Sequence, residues 1–303
     1  MSPRVGYFPQ NNSLWVLRHL GLLEEALPDV EWVHLRSLPA GQRVDPRRGL
    51  PSAHGDHLFD GGYDFIGTGA TPPITAQAKG HDVVYVAVSG PRIENGRLVV
   101  RADSDIHEPV DLRGRRVGLG HGSWQTTLVL LALEKAGLSW SDVTPVDVYD
   151  DAGERFLTGE FDAWVGSYPY LTSVEQRASL RDVIATEGLF SHRSLWFTSR
   201  SYATSHQDEV AAIVAALQAA DAWTAANPAE AATLFSADDG RDLAEWEHAL
   251  RTRPWGLHPV DADFVAEQQH AADLFHANGL IERPVVVADA VLPEVDAIVA
   301  ASA

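Results

Sequence analysis

Gly118-Leu119-Gly120-His121-Gly122-Ser123-Trp124-Gln125-Thr126 decides how the rest of the chain is read. The apolar run Arg116 to Leu119 before the turn reads as a strand. Leu128 to Ala136 after it has the apolar spacing of a helix. A strand, a glycine turn and a helix start in that order make an anion site. Glycine lets backbone approach a ligand, and the first N–H groups of a helix have no internal partner. Ser123 adds a hydroxyl and the expected N-cap.

Upstream, Arg4 to Phe8 reads as a buried strand ending in the polar turn Pro9-Gln10-Asn11-Asn12-Ser13, with a helix over Leu14 to Ala26. Glu31 to Leu38 alternates like a strand. Phe65-Ile66-Gly67-Thr68-Gly69 ends the next one, and Thr71-Pro72-Pro73 opens a helix with proline in its first turn. Asp82 to Ser89 is a β-branched run, expected to be buried on both faces. Asn95-Gly96 reads as a two-residue hairpin turn before Leu98-Val99-Val100.

Downstream, strands are expected at Val143 to Tyr149, Phe161 to Val165, Val183 to Ala185 and Leu195 to Thr198. After Ser199 the chain turns helical, over Gln207 to Ala226, Pro228 to Phe235, Leu243 to Arg251 and Asp263 to Asn278. The alternation predicts an α/β fold with a mainly parallel sheet. The expected division is one lobe from 1–88 plus 196–303 and a second from 89–195, with a ligand cleft between them.

At 303 residues, with 45% hydrophobic and 21% charged, the chain is long enough for two domains of roughly 150 residues. Lys+Arg number 23 against 42 Asp+Glu, a formal charge of −19 that repels nucleic acid and anionic membranes. A local pocket can still be positive. The lack of cysteine excludes disulfides, thiolate metal sites and a cysteine nucleophile. No apolar run approaches a membrane span, so no membrane insertion is expected. Met1 to Phe8 shows no positive-then-apolar leader and no lipoprotein cysteine. The expectation is a cytoplasmic chain if the sequence is complete, and a periplasmic or cell-surface one if a leader was removed.

The chain resembles the solute-binding proteins of ABC importers for aliphatic sulfonates, taurine and nitrate. The resemblance rests on Gly67-Thr68-Gly69-Ala70-Thr71-Pro72-Pro73-Ile74, Asp111-Leu112-Arg113-Gly114-Arg115-Arg116-Val117, Gly122-Ser123, Leu133-Glu134-Lys135-Ala136-Gly137-Leu138 and Asp162-Ala163-Trp164 with Pro169-Tyr170. A late block runs from Ala266 to Ile281. The resemblance implies a type 2 periplasmic-binding fold whose two lobes close on a small organic anion, and an ABC permease as partner of a secreted form. It places the ligand loops at Gln10, Asn11 and Asn12, at Thr68, Gly69 and Thr71, and at Gly122, Ser123 and Trp124. Trp164, Tyr168, Trp196 and Trp255 then become candidates for an apolar wall around the ligand's tail. A monomer without cofactor or metal is expected.

A weaker resemblance, at Gly122-Ser123-Trp124 and Val143 to Val146, is to the aryl-sulfinate desulfinases on the same fold. Where their cysteine nucleophile would stand, this chain has Pro9-Gln10-Asn11-Asn12. The alternative function is therefore an intracellular desulfinase-like lyase or hydrolase without the cysteine nucleophile, cleaving C–S or C–C bonds of an organosulfur or aromatic carboxylate compound, with His57 or His121 in acid/base chemistry.

Other clusters carry further candidates. His54-Gly55-Asp56-His57 has metal-ligand residue types without a third histidine, and a ligand-facing or proton-transferring His57 is the reading that matters. His121-Gly122-Ser123-Trp124 lacks the flanking glycines of a nucleophile elbow. Ser191-His192-Arg193-Ser194 precedes the returning strand, which makes His192 and Arg193 ligand candidates. Arg193 is expected to supply the full charge, because a guanidinium fork matches a sulfonate or carboxylate. Arg251-Thr252-Arg253-Pro254-Trp255 is a second basic-aromatic cluster.

Overall fold

The structure, a computed structural model, describes residues 2–38, 45–47, 49–50, 56–92, 96–149 and 151–302. Its strands are β1 (Arg4–Tyr7), β2 (Glu31–His34), β3 (Phe65–Gly69), β4 (Val83–Ser89), β5 (Gly96–Arg101), β6 (Arg116–Leu119), β7 (Thr144–Asp147), β8 (Ala163–Ser167), β9 (Leu180–Ala185), β10 (Ser194–Ser199) and β11 (Leu257–His258). They form two sheets. The first has the order β11-β4-β10-β3-β1-β2 and the second β7-β6-β8-β5-β9. The chain leaves the first sheet after β4 and returns to it at β10, so residues 90–95 and 186–193 are the two connections between the sheets.

Each sheet has a parallel half built on strand–helix units. β1 runs parallel to β2 and β3, and β6 to β7 and β8. The mainly parallel expectation needs correction at the other half. The returning strand β10 lies antiparallel between β3 and β4, and β5 is antiparallel to β8 and β9. Strands entering from the other lobe arrive running the opposite way.

Local chemistry accounts for the element ends. All seven residues of β4 are buried, as the β-branched run requires. Gly21, left-handed at φ 69°, divides the expected Leu14 to Ala26 helix into Asn12–Leu20 and Leu22–Ala26. The strand expected over Glu31 to Leu38 stops at His34, where a 3-10 turn begins. The expected hairpin turn falls in part outside the described residues. Ile93 and Asn95 lie outside the described residues, and Gly96 opens β5, opposite Ser167 of β8. Helix Gln207–Ala226 buries Val210, Ile213, Val214, Leu217 and Ala220 at helical spacing. It packs with Leu14, Leu17 and Trp196 on the first sheet.

Candidate functional site

Helices Asn12–Leu20, Thr71–Ala78 and Trp124–Lys135 each begin just past the carboxyl end of a parallel strand: β1, β3 and β6. A helix start carries unpaired N–H groups and about half a positive charge. Two of these starts belong to the first lobe and one to the second.

Trp124 brings the lobes together. Its indole lies 3.9 Å, centroid to centroid, from the imidazole of His192 on the returning connection. Glycines flank it on both sides, and the one at 96 makes room for it. A Cβ on Gly69 of the first lobe would touch it at 3.8 Å, and one on Gly96 of the second would approach its ring to 2.5 Å. Beside it Thr71 and Thr127 place their hydroxyls 3.3 Å apart, both buried.

The glycine turn before Trp124 has its donors occupied, which corrects its reading as an open anion cradle. Gly120 N–H donates to Gln125 Oε1 (2.5 Å), His121 N–H to Asp147 Oδ1 (3.0 Å) and Gly122 N–H to Thr126 Oγ1 (3.0 Å). Ser123 is the expected N-cap, accepting from Gln125 N–H, and its hydroxyl donates to Gly120 O at 2.6 Å. The turn therefore positions Trp124 and the helix start.

The positive charge of the cleft comes from two arginines. Arg92, just past β4, is buried. Its Nε donates to His192 O (3.0 Å), and it forms no ion pair among the described residues. Arg253, before β11, is only partly covered, yet its Nε is buried without a partner. Burial, and then the neighbouring charge of Arg253, push Arg92 down to about 9; burial pushes Arg253 down to about 10. Both stay protonated at neutral pH. His192, 2% exposed with Nδ1 unpartnered, is driven well below the usual histidine range by burial and then by both arginines. It is neutral, and it is the one non-glycine described residue with positive φ, at 49°. Two desolvated cations beside a neutral imidazole and helix starts form a local positive site on an acidic protein.

The lobes also meet at aromatic contacts. Tyr168, after β8, packs edge-on to His248 of the first lobe (5.7 Å). It also lies against the cluster of Trp15, Phe235 and Trp246, with Trp255 on the same cluster. Arg97 and Glu175 hold the Tyr168 hydroxyl. Arg241 of the first lobe lies 4.4 Å over the ring of Tyr170.

Other expected site residues fall elsewhere. Arg193 is paired with Asp261 (2.6 Å), so it does not supply the free charge; the neighbouring position on the connection faces the arginines instead. His57 sits in the turn before β3, where its carbonyl accepts from Gly62 N–H (2.8 Å). Arg4 at the start of β1 also reaches that turn, at Gly61. This is the end of the sheet opposite Thr68 and Gly69. His121 is buried against Trp140, its Nε2 2.6 Å from Gly49 O, and burial lowers its pKa, so it adds no charge to the cleft. Trp164 and Trp196 are core residues, packed with Phe156 and Phe161 in the second lobe and with Phe65 and Val84 in the first. His54 lies outside the described residues. Among the described residues no group of three or more His, Asp or Glu could hold a metal, and no helix is long and apolar enough to cross a membrane.

The polar loops are close to the cleft and largely self-paired. Asn11 caps its helix through Oδ1 to Leu14 N–H (3.0 Å), while its Nδ2 is buried without a partner. Asn12 donates to Pro9 O (2.7 Å), Thr68 to Gly69 O (2.7 Å), and Gln10 is exposed. Sequence reasoning missed Arg92. Its one signal is position, a lone arginine at the exit of a fully buried strand.

Two mixed sheets joined by two connections, with the site between them, define a type 2 periplasmic-binding-protein-like fold. The chain belongs to the NMT1/THI5-like family, whose model matches residues 51–231. A putative aliphatic sulfonates-binding protein of Escherichia coli (strain K12) is 30% identical over 286 residues, 93% of this chain and 86% of that protein. The alkanesulfonate-binding protein SsuA from Xanthomonas axonopodis pv. citri, solved bound to MOPS, is 30% identical with a TM-score of 0.82, covering 96% of this chain and 98% of that one. The periplasmic aliphatic sulphonate binding protein SsuA from Escherichia coli is 29% identical with a TM-score of 0.83, covering 96% and 92%. The desulfurization enzyme DSZB shares the fold alone, at 17% identity and a TM-score of 0.67 over 99% and 98% of the chains.

Proposed function

We propose that this chain is the monomeric solute-binding component of an ABC importer, holding a small organic sulfonate between its lobes. The observation that carries this reading is Arg92, a buried cation beside Arg253 with no ion-pair carboxylate among the described residues. An anion entering there offsets a desolvation cost already present, and the helix starts at Asn12, Thr71 and Trp124 add donors without full charge. Tyr168 and Trp255, partly buried on one aromatic cluster, are the candidates to offer aromatic surface to an organic tail. The names of the similar proteins, aliphatic sulfonate-binding in both E. coli and Bacillus subtilis, support the sulfonate class. The periplasmic relative supports a site of action outside the cytoplasmic membrane. Calorimetric titration with alkanesulfonates, alkyl carboxylates and nitrate tests this. The expected result is saturable sulfonate binding that Arg92→Met removes and ligand returned unchanged; equal binding by Arg92→Met would sink the reading.

A further inference from the structure

Asp221 is a buried carboxylate with no role so far. It lies on helix Gln207–Ala226, is 2% exposed, and its Oδ2 accepts from Gly256 N–H at 2.9 Å. Its Oδ1 is buried and makes no hydrogen bond. Three elements face it: Ser13 in the first turn of helix Asn12–Leu20, Gly256 N–H, and Arg253, whose charge favours the ionised form. Arg253 is in turn faced by Tyr170 of the second lobe.

A charge is not needed to hold this loop. One turn earlier on the same helix, the neutral amide of Gln218 clamps Leu257, accepting from its N–H at 3.0 Å and donating to its carbonyl at 2.8 Å. An amide at 221 would serve Gly256 equally well, without the cost of burying a carboxylate. What the carboxylate alone adds is a negative charge next to Arg253. Arg92 and Arg253 give the site two positive charges, and ionised Asp221 leaves one. His192, being neutral, adds none.

We infer that Asp221 is a specificity-determining residue: it sets the net charge of the cleft to one, so that the cleft takes a monoanion in preference to a dianion of the same size. This rests on the anion-site reading above. A single negative charge closes the balance. A second would be buried without a counter-ion, a penalty of about tenfold or more in affinity at an effective dielectric near 20. Burial pushes Asp221 up to about 6, so acidification should weaken the preference.

Methanesulfonate and sulfate test this, being nearly equal in size and different in charge. Their affinities for the full-length protein and for Asp221→Asn are compared by titration at pH 7.5 and pH 5. The sulfate-to-methanesulfonate affinity ratio is expected to rise about tenfold in Asp221→Asn. In the wild type it should rise on going to pH 5, and in the variant it should be independent of pH. A ratio unchanged by Asp221→Asn, with methanesulfonate still bound, overturns the inference and leaves the anion site standing. Binding of neither anion by either protein removes the anion site and the inference together. If Asp221→Asn does not fold, the wild-type pH series decides, and a ratio constant from pH 7.5 to 5 refutes it.

Discussion

The indole of Trp124 rests on the imidazole of His192, centroids 3.9 Å apart and planes tilted by 35°. One ring starts a helix of the second lobe and the other lies on the connection back to the first. The indole fits there because Gly96 presents no Cβ to it.

Gly96→Ala should therefore be costly. Its Cβ would meet the Trp124 ring at 2.5 Å, inside any normal contact. Overpacking of this kind destabilises by about 1–3 kcal/mol. Urea unfolding measures the loss, and a shifted tryptophan emission would report the displaced indole. Gly114→Ala is no control, because at φ 76° the alanine would be strained by its backbone and not by a neighbour.

Arg92 and Arg193 should part company on substitution. Arg92→Met removes a buried cation that has no ion pair among the described residues, so the unliganded protein is expected to gain stability while sulfonate binding is lost. Arg193→Met breaks the pair with Asp261 and should leave affinity within about threefold, since the guanidinium charge is already matched by that carboxylate. Thermal melts with and without ligand read both quantities.

Acid should destabilise the protein through two histidines. His121 and His192 have pKa values lowered by burial, so below about 6.5 the unfolded chain binds protons that the folded one refuses. Stability is then full above that pH and falls as pH drops, by up to about 1.4 kcal/mol per pH unit for each histidine. Asp221 acts oppositely. Its folded value near 6 lies above its unfolded value of 3.8, so between them the folded form gains stability as pH falls. Stability measured from pH 7.5 to 5 should show a net decline that His121→Gln reduces; a decline unaffected by that change would remove His121 from the account.

Tyr168 should act through its ring. Arg97 and Glu175 hold its hydroxyl, but the ring makes the contact with His248. Tyr168→Phe is expected to keep affinity within about threefold. Tyr168→Ala should release ligand faster, by about tenfold, the value of an aromatic contact of about 1.4 kcal/mol. Stopped-flow release rates distinguish the two.

Elements with chemical punctuation were legible in the sequence. Gln207–Ala226 and Leu243–Arg251 begin and end where they were expected, the second capped by Asp242. Antiparallel placement was not legible, because β10 owes its direction to the lobe it returns from. The glycine turn displayed its donors but not their partners, one of which, Asp147, lies on another strand. Arg92 and Asp221 look like ordinary loop and helix residues in one dimension. Only the meeting of the two connections, and of the loop before β11 with helix Gln207–Ala226, makes them a charge pattern. On the returning connection, the choice between His192 and Arg193 turned on which face each occupies, which spacing alone could not decide.

Tyr170 of the second lobe faces Arg253, and Arg241 lies over its ring, so the charge of the site is felt from both lobes. Arg92 and Arg253 lie out of water, and Asp221 offsets one of their two charges. The remaining charge is a standing cost to the empty protein in this arrangement of its lobes. An anion that cancels that charge would favour this arrangement over any that separates the lobes.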